Sequence, residues 1–421
     1  MAMRVVGMVL QVGVFVLIAR THTIDDVGIY AFVNAFFVIV RALGALGLDQ
    51  AALKYISSYV SNDRLPDAAL FTYRYGEKIL HHITIASVAP LTVGILLVFR
   101  NAEYVDYAYP IILMSIALPA YALIGFYVCV MRAHGSVVTA QLPESILLPL
   151  FLLCSIGALI LLDYSNVAST LAAQAAIAWL VVFSYRRSVK SIYKGVSRGF
   201  ASEDCCTEVD AMARSTLRAM AATAIAARAP VILLTLTVTA GLVGLFEGAL
   251  RLALLGTIPV WAVGVVVSPL ISRAASAKQS DEIQRLYGHA GLFQALPAFA
   301  ILGIIILYGD ALLVFLFGPQ FEYAYEACVI IAIATAVNAT GSVAGSYLLM
   351  TGGEKVVQKY SMWALVIVLV GVPIGSLTAG LVGAAWVLVF RSFIRDIGLM
   401  YYVAKVRGIY PITDISRQPV N

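Results

Sequence analysis

Long apolar runs separated by short polar stretches fill almost the whole chain. Read against turn signals, they form about twelve segments: 3–19, 27–57, 77–99, 107–131, 139–162, 166–184, 213–239, 243–271, 287–309, 322–350, 358–378 and 381–404. A helix needs about 20 residues to cross a bilayer. The pattern therefore predicts an all-α polytopic membrane protein of about twelve transmembrane helices. The second, eighth and tenth runs exceed one bilayer crossing and are expected to tilt or project. The first run lies between Arg4 and Arg20. No small-residue cleavage site follows it and further spans do, so it reads as a first span and not a signal peptide.

Composition narrows the class further. Of 421 residues, 61% are hydrophobic and 12% charged, against 45–50% and about 25% in soluble domains. That excludes a soluble enzyme, a nucleic-acid-binding domain, a disulfide-stapled module and a disordered chain. Three of the five cysteines, Cys129, Cys154 and Cys328, sit in apolar runs as small apolar side chains. Cys205 and Cys206 are adjacent, which suits neither an ordinary disulfide nor a site of separated metal ligands. His81-His82 has no carboxylate framework around it. No metal and no cofactor is expected.

The loops alternate in charge. One set (58–76, 132–138, 185–212, 272–286, 351–357 and the tail from Lys405) carries fifteen basic residues, among them Arg64, Arg132, Arg186, Arg187 and Lys190. The other set carries only Arg20 and Arg100, and collects Asp25, Asp26, Glu103, Asp106, Asp163 and Asp310. The positive-inside rule puts both termini in the cytoplasm, and a miscounted span would scramble the alternation. The basic stretch 185–212 splits the chain into an N-terminal six-helix lobe, 1–184, and a C-terminal one, 213–404, before a cytoplasmic tail, 405–421. The stretch reads either as a solvated linker that sets topology or as a contact for anionic lipid.

A weak repeat supports two halves. Val27-Gly28-Ile29-Tyr30 opens the second segment and Val243-Gly244-Leu245-Phe246 the eighth, the second helix of each half. Ala240-Gly241-Leu242-Val243-Gly244 recurs as Ala379-Gly380-Leu381-Val382-Gly383 before the last segment. Two halves related by a parallel repeat are a transporter design.

The informative residues are the few charges inside spans. At about 1.5 Å per residue, Arg41 lies near mid-membrane on the second helix and Arg228 at similar depth on the seventh. Arg251 lies in the outer half of the eighth helix and Arg391 near the middle of the twelfth, with Arg395 one turn on. Glu247, four residues before Arg251, can pair with it on one helix face. The other acids are the deeper Asp49, Glu144 and Asp396. Cations outnumber anions around the midplane. One reading is local pairing that stabilises packing. The other is a water-filled cationic cavity that binds an anion, since arginine forks suit phosphate oxygens. Pro230, with Gly44 and Gly47, is expected to break helices along such a cavity. Tyr30, Asn34, Tyr121 and Asn338 are plausible glycan contacts or packing residues.

Several stretches resemble a known family. They are Ala19-Arg20, Val27-Gly28-Ile29-Tyr30 and the run from Leu46 through Asp49 and Lys54 to Tyr55, with Gln141-Leu142-Pro143-Glu144 and Ala249-Leu250-Arg251-Leu252. Phe317-Gly318-Pro319-Gln320-Phe321, Met350-Thr351-Gly352-Gly353-Glu354 and Gly380-Leu381-Val382-Gly383-Ala384-Ala385 complete the set. Their order and spacing over almost the whole chain resemble the Wzx-type oligosaccharide flippases of the multidrug/oligosaccharidyl-lipid/polysaccharide (MOP) exporter superfamily. The resemblance implies a MATE-like fold with two lobes around a central cationic cavity. It implies alternating-access transfer of a polyprenyl-diphosphate-linked oligosaccharide across the cytoplasmic membrane for surface polysaccharide biosynthesis. The anionic diphosphate would meet Arg251, the arginine best matched by a motif. Asp49 and Lys54 match nearer the cytoplasmic end, where pairing, gating or coupling fits better. Arg41, Arg228 and Arg391 rest on depth alone. The family often has an acidic residue just after the seventh-helix arginine, whereas Ala229-Pro230 follow Arg228 here.

Two other classes compete. A cation-coupled drug or small-molecule exporter needs midplane carboxylates, for which Glu247 is the lone candidate. A membrane glycosyltransferase or polymerase usually carries a sizeable outward loop with acidic residues. The longest one here, 310–321, holds only Asp310, so no enzyme is expected. The expected partners are the lipid-linked oligosaccharide, membrane lipids and other glycan assembly proteins, with no nucleic acid, and the expected state is a monomer.

Overall fold

The computed structural model describes residues 2–100, 105–164, 166–196, 203–277 and 279–410. Every regular element among them is helical, as expected where lipid offers the backbone no hydrogen bonds. The chain forms two compact units, Met1–Arg228 and Ala229–Asn421.

The first unit holds α1 (Ala2–Thr21), α2 (Ile24–Gly44), α3 (Leu48–Ser61), α4 (Leu65–Arg100), α5 (Val105–Ala133), α6 (Val137–Leu142), α7 (Leu148–Leu161) and α8 (Val167–Ile192). It closes with α9 (Glu203–Leu234) as far as Arg228. The second unit holds α10 (Ala240–Ala253), α11 (Ile258–Ser276), α12 (Ser280–Phe317), α13 (Tyr325–Met350), α14 (Glu354–Ser392) and α15 (Gly398–Tyr402). The division falls inside α9, beyond the basic stretch 185–212, because the start of α9 is tied to α4 by the Lys78–Asp210 ion pair at 2.9 Å.

Nine helical stretches among the described residues are long and apolar enough to cross a membrane, and two shorter apolar ones, Val9–Thr21 and Ala224–Leu234, lie in α1 and α9. The last of the nine, Glu354–Arg407, contains two antiparallel segments. Ala379 (φ −140°, ψ 24°) and Gly380 (φ 56°, ψ −133°) reverse the chain within α14. A Cβ on Gly375 would meet the Gly383 backbone, and one on Gly371 the Val387 side chain, so the arms pack glycine to backbone.

Each half is built around its fourth segment. In the first unit α5 packs against α2, α3, α4, α6 and α8, and in the second α13 packs against α10, α11, α12 and α14. The apolar windows of both are 67% buried, against 17% for α4 and α12. α13 can sit there because its sequence is small and apolar, with Ala332, Ala334, Ala336, Ala339, Gly341 and Ala344 all buried.

Local chemistry sets the element ends. Thr23 caps α2 in a capping box with Asp26: the Thr23 Oγ1 accepts the Asp26 N–H at 3.2 Å, and the Thr23 N–H donates to the Asp26 carboxylate at 3.3 Å. Asp25 and Asp26 thus sit in a first helical turn, where the helix dipole favours them. The second segment breaks where its glycines predicted: Leu46 (φ 53°) and Gly47 (φ 70°) divide it into α2 and α3. One expectation changes. The outward loop 310–321 is mostly helical, because the apolar run Ala311–Phe317 extends α12 until Gly318 (φ 110°) and Pro319 stop it. α9 runs on through Pro230 to Leu234.

Candidate functional site

The first unit contains a cavity of about 790 Å³, within the range of ligand sites. Arg41 reaches it from the last turn of α2. The break at Leu46-Gly47 then starts α3 with Asp49 in its first turn, so a cation and an acid eight residues apart both face the cavity. α5 supplies Gly125, Cys129 and Arg132, α1 supplies Gly7 and Gln11, and α9 supplies Ala224 and Ala227. The wall is completed by Gln141, Glu144 and Ser145, the last two in a π-helical turn, Pro143–Leu147, wedged between α6 and α7. Single π turns of this kind recur at functional sites.

Arg41 and Glu144 form an ion pair across the cavity wall. The Arg41 side chain is 34% exposed and that of Glu144 27%, so both can be reached from the cavity. The missing side chain of Gly125 makes the room: a Cβ there would lie 3.4 Å from the Arg41 guanidinium. Asp49 is buried; its Oδ2 accepts the Gln50 amide at 3.4 Å and its Oδ1 has no partner.

A second polar cluster in the same unit joins three of the residues read as glycan contacts. The Gln174 Nε2 on α8 donates to the Asn34 Oδ1 at 3.2 Å and to the Tyr121 hydroxyl at 3.0 Å, and the Asn34 amide donates to the Tyr30 carbonyl at 2.9 Å. Gln174 is buried with its Oε1 unpartnered. On α2, Tyr30, Asn34 and Arg41 stand four and seven residues apart, one helix face.

The four midplane arginines are not gathered in this cavity. Arg228 lies half-buried on α9, outside its wall. In the second unit the Arg251 Nε donates to the Glu247 Oε1 at 2.9 Å along α10, as the four-residue spacing predicts, and Glu247 is only 2% exposed. Arg391 lies in the last turn of α14, within the field of Asp396 and Arg395. Asp396 is buried in a π turn, Phe393–Ile397, and accepts from Arg395 Nη1 and Asn338 Nδ2, both at 3.0 Å. Lys54 is exposed on α3, its ammonium 5.4 Å from the Tyr55 ring.

The cavity of the first unit is therefore charge-balanced, Arg41 and Arg132 against Asp49 and Glu144. Sequence reading placed Glu144 too deep to meet Arg41, although its motif, Gln141-Leu142-Pro143-Glu144, had already stood out. It missed Gln174, whose signal is a lone amide inside the apolar run 166–184.

The chain shares its fold with solved membrane transporters. It superposes on an inward-facing multidrug-resistance MATE family transporter of the MOP superfamily with a TM-score of 0.78 and 12% identity, over 96% of both chains. It superposes on the lipid II flippase MurJ in an inward closed conformation with a TM-score of 0.74 and 13% identity, over 94% of this chain and 85% of that one. A third likeness is to a MOP superfamily transporter from Pyrococcus furiosus described by a binding pocket of reverse polarity (TM-score 0.63, 13% identity, 97% of this chain and 94% of that one). No family model matches the sequence, and no curated protein matches it. At these identities the likeness establishes a MATE-like fold, that of a multi-pass membrane protein.

Proposed function

We propose that the chain is a flippase that moves a polyprenyl-diphosphate-linked oligosaccharide across the cytoplasmic membrane by alternating access, for surface polysaccharide biosynthesis. The observation that carries this reading is Arg41, a guanidinium on the wall of an intramembrane cavity, ion-paired to a carboxylate that is 27% exposed. A guanidinium cannot lose its charge and presents paired donors that match phosphate oxygens. An anion in the cavity can compete for it. Arg251 and Arg391 in the second unit and Arg228 at the unit boundary are the further cations such a cargo would meet. The Tyr30, Asn34, Tyr121 and Gln174 cluster supplies hydroxyl and amide groups of the kind that bind sugars. A lipid II flippase among the structures of the same fold supports a lipid-linked cargo. In this reading the protein works as a monomer, with both termini cytoplasmic and the basic stretch 185–212 against the inner leaflet.

The second reading is a cation-coupled exporter of small molecules, favoured by Asp49 and Glu144 in the same cavity and by the multidrug transporter among the relatives. Reconstitution separates the two. Liposomes containing the protein should move a fluorescent polyprenyl-diphosphate glycan between leaflets faster than empty liposomes. No acceleration of the glycan, with ion-driven efflux of a cationic dye, would establish the exporter instead.

A further inference from the structure

We propose that cargo binding at Arg41 is coupled to proton uptake by Glu144: the anion takes the guanidinium, Glu144 is released into the cavity, and the freed carboxylate binds a proton from solvent. This rests on the flippase reading, in which a diphosphate meets Arg41, and it adds the group through which the cavity exchanges a proton.

The geometry isolates this pair. Arg41 and Glu144 come from different elements, α2 and the π turn, and are 34% and 27% exposed. One partner can leave the other without unfolding a helix. The Arg251–Glu247 pair lacks this property, since both residues lie on one helix and Glu247 is 2% exposed. The charges on the wall supply the driving force. The cavity wall carries Arg41 and Arg132 against Asp49 and Glu144. An arriving diphosphate diester adds two negative charges and removes the cation paired with Glu144. Like charges in a partly desolvated site disfavour ionisation, and a guanidinium cannot adjust.

The ionisable side chains facing Glu144 leave it as the acceptor. Arg41 comes from α2, Arg132, Cys129 and Tyr121 from α5, Tyr185 from α8 and Asp49 from α3. Among the described side chains, α1 and α9 bring none to the cavity wall. The phenols and the thiol carry no charge that a proton could cancel. Asp49 also lies in the field of Arg41 but makes no direct ion pair with it and keeps its amide donor, Gln50, so Glu144 loses the nearer cation on exchange. The balance is one proton: it leaves a solvent buffer molecule, forms an O–H bond on a Glu144 carboxylate oxygen, and returns when the cargo departs and Arg41 recaptures Glu144.

The test is calorimetric titration of the purified full-length protein with a farnesyl-diphosphate-linked hexose, a diphosphate diester whose own charge is constant around neutral pH. It is run in two buffers of different ionisation heat, and repeated across pH. The wild type should take up about one proton per ligand bound, and its affinity should fall up to about tenfold per pH unit as pH rises. Glu144→Gln, which keeps the shape and the hydrogen bond to Arg41, should bind with no uptake and no pH slope. Wild-type binding without uptake, or uptake that persists in Glu144→Gln, overturns the inference, while the flippase reading stands if Arg41→Ala abolishes binding. If Arg41→Ala binds as the wild type does, or the wild type does not bind, both fall. The pH slope of the wild type alone decides the matter should the variant not fold.

Discussion

The two halves of the molecule solve one problem, an arginine inside the membrane, in opposite ways. In the first unit Arg41 reaches across a cavity to an acid on another element, and both side chains keep about a third of their surface open. In the second, Arg251 folds back on Glu247 one turn away on its own helix, and the acid is sealed. Helix packing alone holds a pair of the second kind together, since its geometry is set by i,i+4 spacing. A pair of the first kind can be exchanged for a ligand. The same sequence signal, an arginine at mid-membrane with an acid within reach, thus gives an open pair between two elements in one half and a sealed pair along one helix in the other.

The sharpest way to break this comparison is to delete the arginines in turn. Arg41→Ala should slow glycan flipping in liposomes by about 10–100-fold, the value of one or two charge-assisted hydrogen bonds. It should shift thermal unfolding little, because the pair is a third exposed and worth about 1 kcal/mol or less to folding. Arg251→Ala should slow flipping less and lower thermal unfolding more, because its partner is 2% exposed. Equal transport loss in both variants at unchanged stability would place them in one site and end the contrast.

Next in size is the acid of the sealed pair. Glu247→Ala leaves Arg251 without the carboxylate that its Nε holds at 2.9 Å. Breaking such a buried pair costs about 3 kcal/mol or more. Thermal unfolding in detergent should fall by several degrees. Glu144→Ala, taken from the open pair, should move it much less.

Twelve segments and their order were legible in the sequence because lipid imposes one rule on every span. The turn at residues 379–380 was legible to the residue, since Ala379-Gly380 is the sole pause in a long apolar run. The Glu247–Arg251 pair was legible for the same reason, being local. What stayed hidden was non-local. Arg41 and Glu144 are 103 positions apart, and depth counted along straight helices set them at different levels. The π turn that carries Glu144, and the Leu46-Gly47 break that brings Asp49 under Arg41, invalidate that count. Gln174 was hidden because nothing in its own segment hints at Asn34 or Tyr121, which come from α2 and α5.

The break in α2–α3 can be probed directly. Gly47 holds φ 70°, and a Cβ there would run into the Ala213 carbonyl of α9 within the same unit. Gly47→Ala therefore adds strain of about 1 kcal/mol to an overpacking cost of about 1–3 kcal/mol. It should lower the unfolding midpoint and, by shifting the end of α2 that carries Arg41, weaken anion binding in the cavity.

Its counterpart in the second unit gives the smallest effect and the control for the other. Gly380 also has positive φ, 56°, but its ψ of −133° belongs to a region that side chains avoid, and a Cβ there would meet nothing within 4 Å. Gly380→Ala should therefore cost backbone strain alone, about 1–2 kcal/mol, with no steric addition. Because the turn joins two arms already locked by the Gly375–Gly383 approach, the chain should still reverse there, and binding at Arg41 should be untouched. A midpoint drop for Gly380→Ala as large as that for Gly47→Ala would mean that packing against α9 contributes nothing at Gly47. The break beneath Arg41 would then be held by backbone geometry alone and not by its neighbours.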